Sequence, residues 1–563
     1  MQDNDGSDAY EVIVLGSGGA GLCAALSAAR CGARVGVFEK GELLGGTTCL
    51  SSAVAWLPNN RYAREAGIVD SREQSLAYLE SLSHGMILPE LAEAFVDTVP
   101  ELLDWLDTTP LKMRLVAGYP DYHPERPGGM PQGGRSLEPD LFSFIDLGRW
   151  EDKLVGVPRR MTVAETPIGG GTGHLPPDVL EQRERDRVEG LGRGMIAALL
   201  QGCLDEGVAV HTGERGVRLI QDESGRITGV RFEGRNGAHD VRAEHGVVLA
   251  TGGFEWDERL RRDFLRGPMA HPATVPTCTG DGLRMAMRVG AQLGNMREAW
   301  WAPVAVLPGQ RANGAQAVQL VHRERTAPHS IMVNRLGRRF TNEATNYNAL
   351  GGAFHQLDAH DFDYLNQPCW LIFDADHVEK YGAFGAAPGA EAPEWVVRAD
   401  TLADLARQID VPTDTLESTV AHWNEDVRRG HDSEYHRGES VYDGFVGDKN
   451  RYPGVESTLG PVARAPFHAV QIHSSTLGTK GGPRTDADGA VLDVDDRVIP
   501  GLFAAGNVMA APTGMVYGGA GGTLGPALVF GYRAGRAAAR ASVRAADPSA
   551  DPAAAPLRPV SLA

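Results

Sequence analysis

Cysteine is scarce and scattered in this chain: Cys23, Cys31, Cys49, Cys203, Cys278 and Cys369 are all there are in 563 residues. No two stand at CxxC spacing, which leaves no zinc ribbon, no dithiol redox pair, no disulfide framework and no haem-attachment motif. Long apolar runs are also missing, so no stretch is built to span a bilayer. The opening MQDNDGSDAYEV is acidic and lacks the basic and then apolar segments of a signal peptide, so a cytoplasmic location is expected. Positive charge is in deficit, with 54 Lys and Arg against 73 Asp and Glu and a formal net charge of −19. Such a surface repels phosphates, which argues against a nucleic-acid or anionic-membrane partner. The remaining composition, 42% hydrophobic and 23% charged, is that of a globular chain. Its length suits about two to four domains.

The most informative segment is VIVLGSGGAGLCAALSAAR, from Val12 to Arg30. It predicts a buried strand, a glycine turn and an alanine-rich helix. Gly16, Gly18 and Gly21 have G-x-G-x-x-G spacing in that context. The first glycine allows the tight turn, the second lets a pyrophosphate approach the backbone, and the third lets the helix sit close to the strand. The helix N-terminus offers free N–H groups and a partial positive charge to the phosphates. Glu39 ends the next strand, RVGVFE, where an acid can bind a ribose hydroxyl pair. Beyond Glu39-Lys40 come Gly45-Gly46-Thr47-Thr48 and Ser51-Ser52. A glycine pair there can turn the chain back over a pyrophosphate, and the hydroxyls can face a flavin. The extension favours FAD over NAD. No histidine lies near the GGTT segment, so the flavin is expected to be non-covalent. With no haem or iron–sulfur relay in the chain, electrons must pass to a separate acceptor.

Further along, residues 72–108 carry apolar residues at helical spacing, among them Leu91, Phe95, Leu102 and Leu103. Residues 110–180 are rich in Gly and Pro and read as irregular loops. A helix is expected over Arg193 to Glu206, a strand over Val208 to His211, and a hairpin around Ser224-Gly225. GVVLATGGFEWD forms a second buried strand ending at Ala250, Thr251, Gly252 and Gly253, beside the cofactor. Gly280-Asp281-Gly282 opens another helix. VIPGLFAAGNVMAAP is a strand ending at Gly506-Asn507, followed by a small-residue helix over 523–541. The predicted architecture is α/β: a discontinuous Rossmann-like, glutathione-reductase-type FAD domain with an inserted α+β catalytic domain. Residues 1–298 and 475–544 form the two parts of the FAD domain, 299–474 the insertion, and 545–563 a disordered tail. Expected cofactor contacts are Gly16, Ser17, Gly18, Gly19, Ala20, Gly21, Glu39, Lys40, Gly45, Gly46, Thr47, Thr48, Ser52, Val217, Ala250, Thr251, Gly252, Gly253, Gly280, Asp281, Gly506, Asn507, Thr523 and Leu524. No metal site is expected.

These landmarks, in this order, resemble the fumarate reductase/3-ketosteroid dehydrogenase flavoprotein superfamily. PDYHPERPGG (120–129), GRRFTNEATNY (337–347), LGTKGGPRTD (477–486) and YGGAGGTLGPALVFGY (517–532) look like its 3-ketosteroid Δ1-dehydrogenase branch. Fumarate reductases bind two carboxylates through arginines, one of them before the C-terminal helix. No arginine occurs from Asn507 to Gly531 here, so a neutral ketone fits better than a dicarboxylate. His473, before Gly481-Gly482, has longer spacing than the fumarate reductase histidine and reads as a domain-junction residue.

The resemblance implies desaturation beside a ketone. Tyr347 matches the proton-abstracting base, and the flavin N5 takes the hydride. Tyr517 and the Gly521 N–H match the carbonyl-polarising donors. Tyr122 matches the tyrosine that hydrogen-bonds to the base, with Tyr119 as the alternative. An ordinary tyrosine titrates near pH ~10, so the base needs help from its neighbours. Arg338-Arg339 and Glu343 read as active-site charges or, at least as well, as an ion pair fixing the loop before Tyr347. Two departures from the branch concern the substrate. Gly518 stands where proline usually follows the carbonyl-binding tyrosine, and residues 138–178 look like an insertion over the pocket entrance. The expected substrate is a hydrophobic cyclic ketone, a steroid or a smaller ring. A flavin-dependent reductase of the fumarate or urocanate type is the alternative.

Overall fold

The computed structural model describes residues 9–544, apart from 172 and 236; the expected tail at 545–563 lies outside the described residues. The larger of two main sheets starts from strand Ala9–Leu15, whose Val12, Ile13 and Val14 are completely buried. An unbroken apolar run of this kind belongs in a parallel sheet covered on both faces. Its neighbours are Val35–Glu39 on one side and the end of Gly237–Leu249 on the other, both parallel to it. Ala209–Thr212 and Val498–Ala504 extend the parallel sheet outward. Thus three strand ends, at Leu15, Glu39 and Leu249, open on the same edge, where α/β sheets bind ligands.

The helix Gly19–Arg30 begins where the first strand turns. Gly16 has φ +104°, and a Cβ there would lie 2.4 Å from the Ala250 carbonyl oxygen. A Cβ on Gly21 would lie 2.0 Å from the Gly16 carbonyl oxygen. Both glycines are therefore required by the turn itself. The long helix Leu524–Arg544 crosses Gly19–Arg30 closely enough that a Cβ on Gly535 would reach the Ala24 carbonyl oxygen at 2.1 Å.

The second sheet is antiparallel, in the order Ala315–Leu320, Ala299–Ala312, Phe467–Thr479, Cys369–Phe373, Ser330–Val333, with Val397–Ala399 joined to the central strand. Its own apolar core gathers Ile331, Leu416, Trp423 and Ala469 beneath the helices Leu402–Gln408 and Thr413–Arg429.

Three local readings change. The helical stretch over 72–108 is two helices, Arg72–Ser83 and Pro89–Leu106, because His84 (φ +47°) and Gly85 (φ +75°) turn the chain and Pro89 restarts it. The buried strand before Ala250 is 13 residues long: its start pairs antiparallel with Ile227–Gly234 and its end runs parallel in the main sheet. Residues 110–180 are not wholly irregular: Met113–Leu115 and Ser136–Pro139 form a small sheet with Ala55–Trp56. No helix among the described residues is long and apolar enough to cross a membrane.

Candidate active site

A cavity of about 550 Å³ runs from the glycine turn to a cluster of tyrosines. At the turn it is lined by Gly16 to Ala20, Glu39, Lys40, Gly46, Thr47, Thr48 and Ser52. Ala250, Thr251, Gly252, Asp281, Gly506, Asn507, Thr523 and Leu524 line it further on. Gly21 and Gly45 lie behind this wall: Gly21 packs on Gly16, and the Gly45 N–H donates to Ser17 Oγ at 2.9 Å. Val217, Gly253 and Gly280 are also outside the lining. In that stretch Glu214, Arg215 and Gly216 reach the cavity, while the Val217 carbonyl accepts from Arg288 at 2.8 Å.

Glu39 is held firmly. Its Oε2 accepts from Ser17 Oγ at 2.7 Å and Ser17 N at 3.2 Å, and its Oε1 from Gly41 N at 2.8 Å. Lys40 Nζ donates to Thr279 Oγ1 at 2.6 Å and Asp281 Oδ2 at 2.7 Å, and Arg215 pairs with the other Asp281 oxygen at 2.7 Å. Burial opposes the Asp281 charge, but these two cations win and hold its carboxyl below the usual range. Thr48 Oγ1 accepts from the Gly19 N–H at 3.2 Å. Thr251 Oγ1 is buried with no hydrogen-bond partner among the described residues. A glycine turn with no room for Cβ atoms, a helix start without a side-chain cap, an acid at the strand end and an orphaned hydroxyl on the wall fit FAD.

The other end of the cavity is aromatic. Tyr122 Oη donates to Tyr347 Oη at 3.0 Å, and Tyr347 Oη donates to Tyr517 Oη at 3.1 Å. Thr523 Oγ1 also donates to Tyr517 Oη, at 3.2 Å. Tyr119 lines the same cavity but packs against Phe445, at 4.5 Å between ring centres, so Tyr122 is the tyrosine beside Tyr347. Three separate chain segments thus put their phenol oxygens in a row. Burial, above all, drives the Tyr347 phenol well above its ordinary range, and Tyr517 adds to the rise. The hydrogen bond from Tyr122 works the other way. Tyr517 is likewise raised by burial.

Buried ion pairs stand behind the segments that carry Tyr122 and Tyr347. Arg135 bridges Asp70 at 2.6 Å and Asp121 at 2.8 Å. Asp121 also accepts from Trp56 Nε1 at 2.7 Å and Met130 N at 3.1 Å. Burial is the main reason that the Asp121 carboxyl rises to about 6. The next residue, Tyr122, donates its N–H to the Gly518 carbonyl at 2.9 Å. On the Tyr347 side, Arg339 pairs with Glu343 and Asp432, both at 2.8 Å. These groups are buried behind the loop and do not line the cavity, whereas Arg338 is exposed. Arg325 donates to the Thr345 carbonyl at 2.7 Å.

Gly521 lines the cavity with φ +94°, and a Cβ there would lie 2.4 Å from the Val54 carbonyl oxygen. The backbone alone therefore demands glycine. A Cβ on Gly518 would already lie 3.1 Å from the Trp56 ring. Trp56, Asp121, Arg135 and Trp300 were missed in the sequence. Only Asp121, inside PDY, carried a local signal. His473 sits in the strand Phe467–Thr479, with its ring against His271 at 5.2 Å.

The FAD binding domain family matches residues 11–524 of this chain. The chain belongs to that family. Its relatives include the 4-oxocyclohexanecarboxylate 2-dehydrogenase of Sinomonas cyclohexanicum, 39% identical over 94% of this chain and 92% of that protein. The 3-oxosteroid 1-dehydrogenase of Mycolicibacterium smegmatis is 37% identical over 93% of this chain and 96% of that protein. A solved structure of 3-ketosteroid Δ1-dehydrogenase from Sterolibacterium denitrificans, in complex with 1,4-androstadiene-3,17-dione, superposes with a TM-score of 0.87. It is 33% identical and covers 95% of this chain and 100% of its own. This family member is an FAD-dependent oxidoreductase acting on CH–CH bonds.

Proposed function

We propose that the protein desaturates a cyclic ketone beside its carbonyl, as a 3-ketosteroid Δ1-dehydrogenase does. The observation that carries this reading is the row Tyr122–Tyr347–Tyr517, at 3.0 and 3.1 Å, in a cavity continuous with the dinucleotide turn. Residues 1–298 and 475–544 hold the cofactor and supply Tyr122, Tyr517 and Gly521. The insertion, 299–474, supplies Tyr347. FAD, when bound non-covalently by the glycine turn, Glu39 and the Thr47–Thr48 segment, supplies the acceptor for the β hydride.

Removing the α proton requires the ketone oxygen to take up negative charge. Tyr517 accepts from Thr523 at 3.2 Å, which leaves its own O–H to donate to that oxygen. The Gly521 N–H is the second donor. A donor facing a growing oxyanion is worth about 2.7–4 kcal/mol. Tyr347, in its phenolate form, takes the α proton onto its oxygen and becomes the neutral phenol, and the C–H electron pair becomes the enolate. When the β hydride leaves, that pair forms the new C=C bond. The Tyr122 O–H lowers the cost of the Tyr347 phenolate that burial raises. Arg159 reaches the cavity wall and, among the described residues, donates to the Leu50 and Ser51 carbonyls, at 3.3 and 3.5 Å. Asn507 to Gly531 contains no arginine to bind a carboxylate.

A smaller ring is the second reading. The 39% identity to a 4-oxocyclohexanecarboxylate dehydrogenase supports it. Anaerobic bleaching of the flavin with 4-androstene-3,17-dione, 4-oxocyclohexanecarboxylate and unsubstituted cyclic ketones tests both. Bleaching by none of them, together with reduction of fumarate by a reduced dye, would overturn the desaturase reading.

A further inference from the structure

Lys480 lies in the LGTKGGPRTD segment and takes no part in the chemistry above. It is buried, with 1% of its surface exposed. Its Nζ donates to the Met515 carbonyl at 2.7 Å and the Val516 carbonyl at 2.9 Å, the two residues before Tyr517. The third direction of the ammonium faces the Trp300 ring, 4.0 Å from its centroid. Trp300 in turn meets Tyr517 edge-on, at 5.0 Å between ring centres, and its Nε1 donates to Asn507 Oδ1 at 3.0 Å. All three faces of one buried cation therefore lead to the segment that carries Tyr517.

We infer that Lys480 is a positioning residue for ketone polarisation: its ammonium fixes the 515–516 carbonyls and the Trp300 ring so that Tyr517 is held with its O–H toward the substrate oxygen. This inference rests on the reading of Tyr517 as the carbonyl donor. A buried cation must be compensated, and here two carbonyl dipoles and an aromatic face do that. No carboxylate touches the ammonium among the described residues. Glu298 is the nearest charge of opposite sign to act on it, and Arg266, paired with Glu298 at 3.0 Å, opposes that attraction. Burial is the main cause that lowers the Lys480 ammonium to about 7. The charge is thus full in acid and lost as pH rises through neutrality. The neutral amine keeps two donors for the two carbonyls but gives up its attraction to the Trp300 face.

The test is a double-mutant cycle on the holoenzyme, using Lys480→Met, Tyr517→Phe and both together. The readout is exchange of the substrate's α hydrogens in D₂O with the flavin already reduced. Residues in one network couple, so Lys480→Met should slow exchange about ten- to a hundredfold in the wild-type background and add little to Tyr517→Phe. KM should change less than kcat. The wild-type to Lys480→Met ratio should be largest in acid and shrink above neutrality. The carbonyl stretch of an isotope-labelled ketone bound to the protein should shift back toward its free value in Lys480→Met. Lys480→Arg, which keeps the charge, should recover part of the rate and remove the pH dependence of the ratio. Flavin content and thermal midpoint are checked for each variant, and Trp300→Phe serves as the substitute if Lys480→Met does not fold. Fully additive effects, or an unchanged carbonyl stretch, would overturn the role of Lys480. Full exchange in Tyr517→Phe itself would instead overturn the underlying reading of Tyr517.

Discussion

Tyr347→Phe is the substitution on which the site depends most directly. It removes one oxygen atom, which accepts from Tyr122 at 3.0 Å and donates to Tyr517 at 3.1 Å. Two costs follow from that geometry. Tyr122, 4% exposed, is left with a buried O–H that has lost its acceptor, worth about 1–3 kcal/mol of stability. Under the proposed mechanism the reaction also loses its base, worth about 10²–10⁴ in kcat. The dinucleotide turn lies at the far end of the cavity, so FAD content should stay at the wild-type ratio. The pH profile provides an independent check. Burial raises the Tyr347 phenol well above its ordinary range, so in neutral solution the base is overwhelmingly protonated. Activity should therefore rise with pH on the acid side of neutrality, about tenfold per unit, and bend over above about 7 as Lys480 loses its charge. Stopped-flow reduction of the flavin across that range measures the chemical step. A Tyr347→Phe protein with near-full activity, or with an unchanged acid limb, would refute the assignment of the base.

Other outcomes follow from the same geometry. Acid precipitation should release FAD into the supernatant; flavin retained in the pellet would contradict non-covalent binding. Glu39→Gln should weaken FAD binding by about tenfold or more, because a charged acceptor of three hydrogen bonds is lost; fluorescence of released flavin measures it. Gly521→Ala should lower the thermal midpoint as well as activity, since φ is +94° and the new Cβ meets the Val54 carbonyl. Arg339→Met should cost about 3–5 kcal/mol in denaturant unfolding, because it strands buried Asp432 without its cation and leaves Glu343 only Arg437, at 3.3 Å. Arg339 holds both carboxyls below their usual range against the opposing effect of burial, so the stability they contribute is present at neutral pH and is lost as pH falls through their folded values.

The parts of the site legible in the sequence are those whose physics is local. Gly16 to Gly21 announce themselves because a strand, a turn and a helix start within a few residues of one another. Tyr347 and Tyr517 were legible only through the motifs around them, since nothing near either one makes a phenol a base or a donor. Trp56, Arg135 and Trp300 were not legible: each acts on a partner that is distant in the chain, as Trp56 does on Asp121 and Trp300 on Asn507. The motif around Gly521 marks its N–H as a donor, but does not show that the Val54 backbone would exclude any side chain there even with no substrate present. The break at His84 was missed because the apolar spacing continues on both sides of it, and only the backbone turn separates the two helices.

The clasp between Gly19–Arg30 and Leu524–Arg544 bears on how the protein is made. Cys23 Sγ donates to the Leu528 carbonyl across 505 residues, and Leu524 lines the same cavity as the glycine turn. A ribosome would therefore release the dinucleotide turn long before the helix that closes it. During that interval the part of the first helix that packs on Leu524–Arg544 has no cover. Capture of FAD becomes a late event in synthesis, coupled to docking of the last helix.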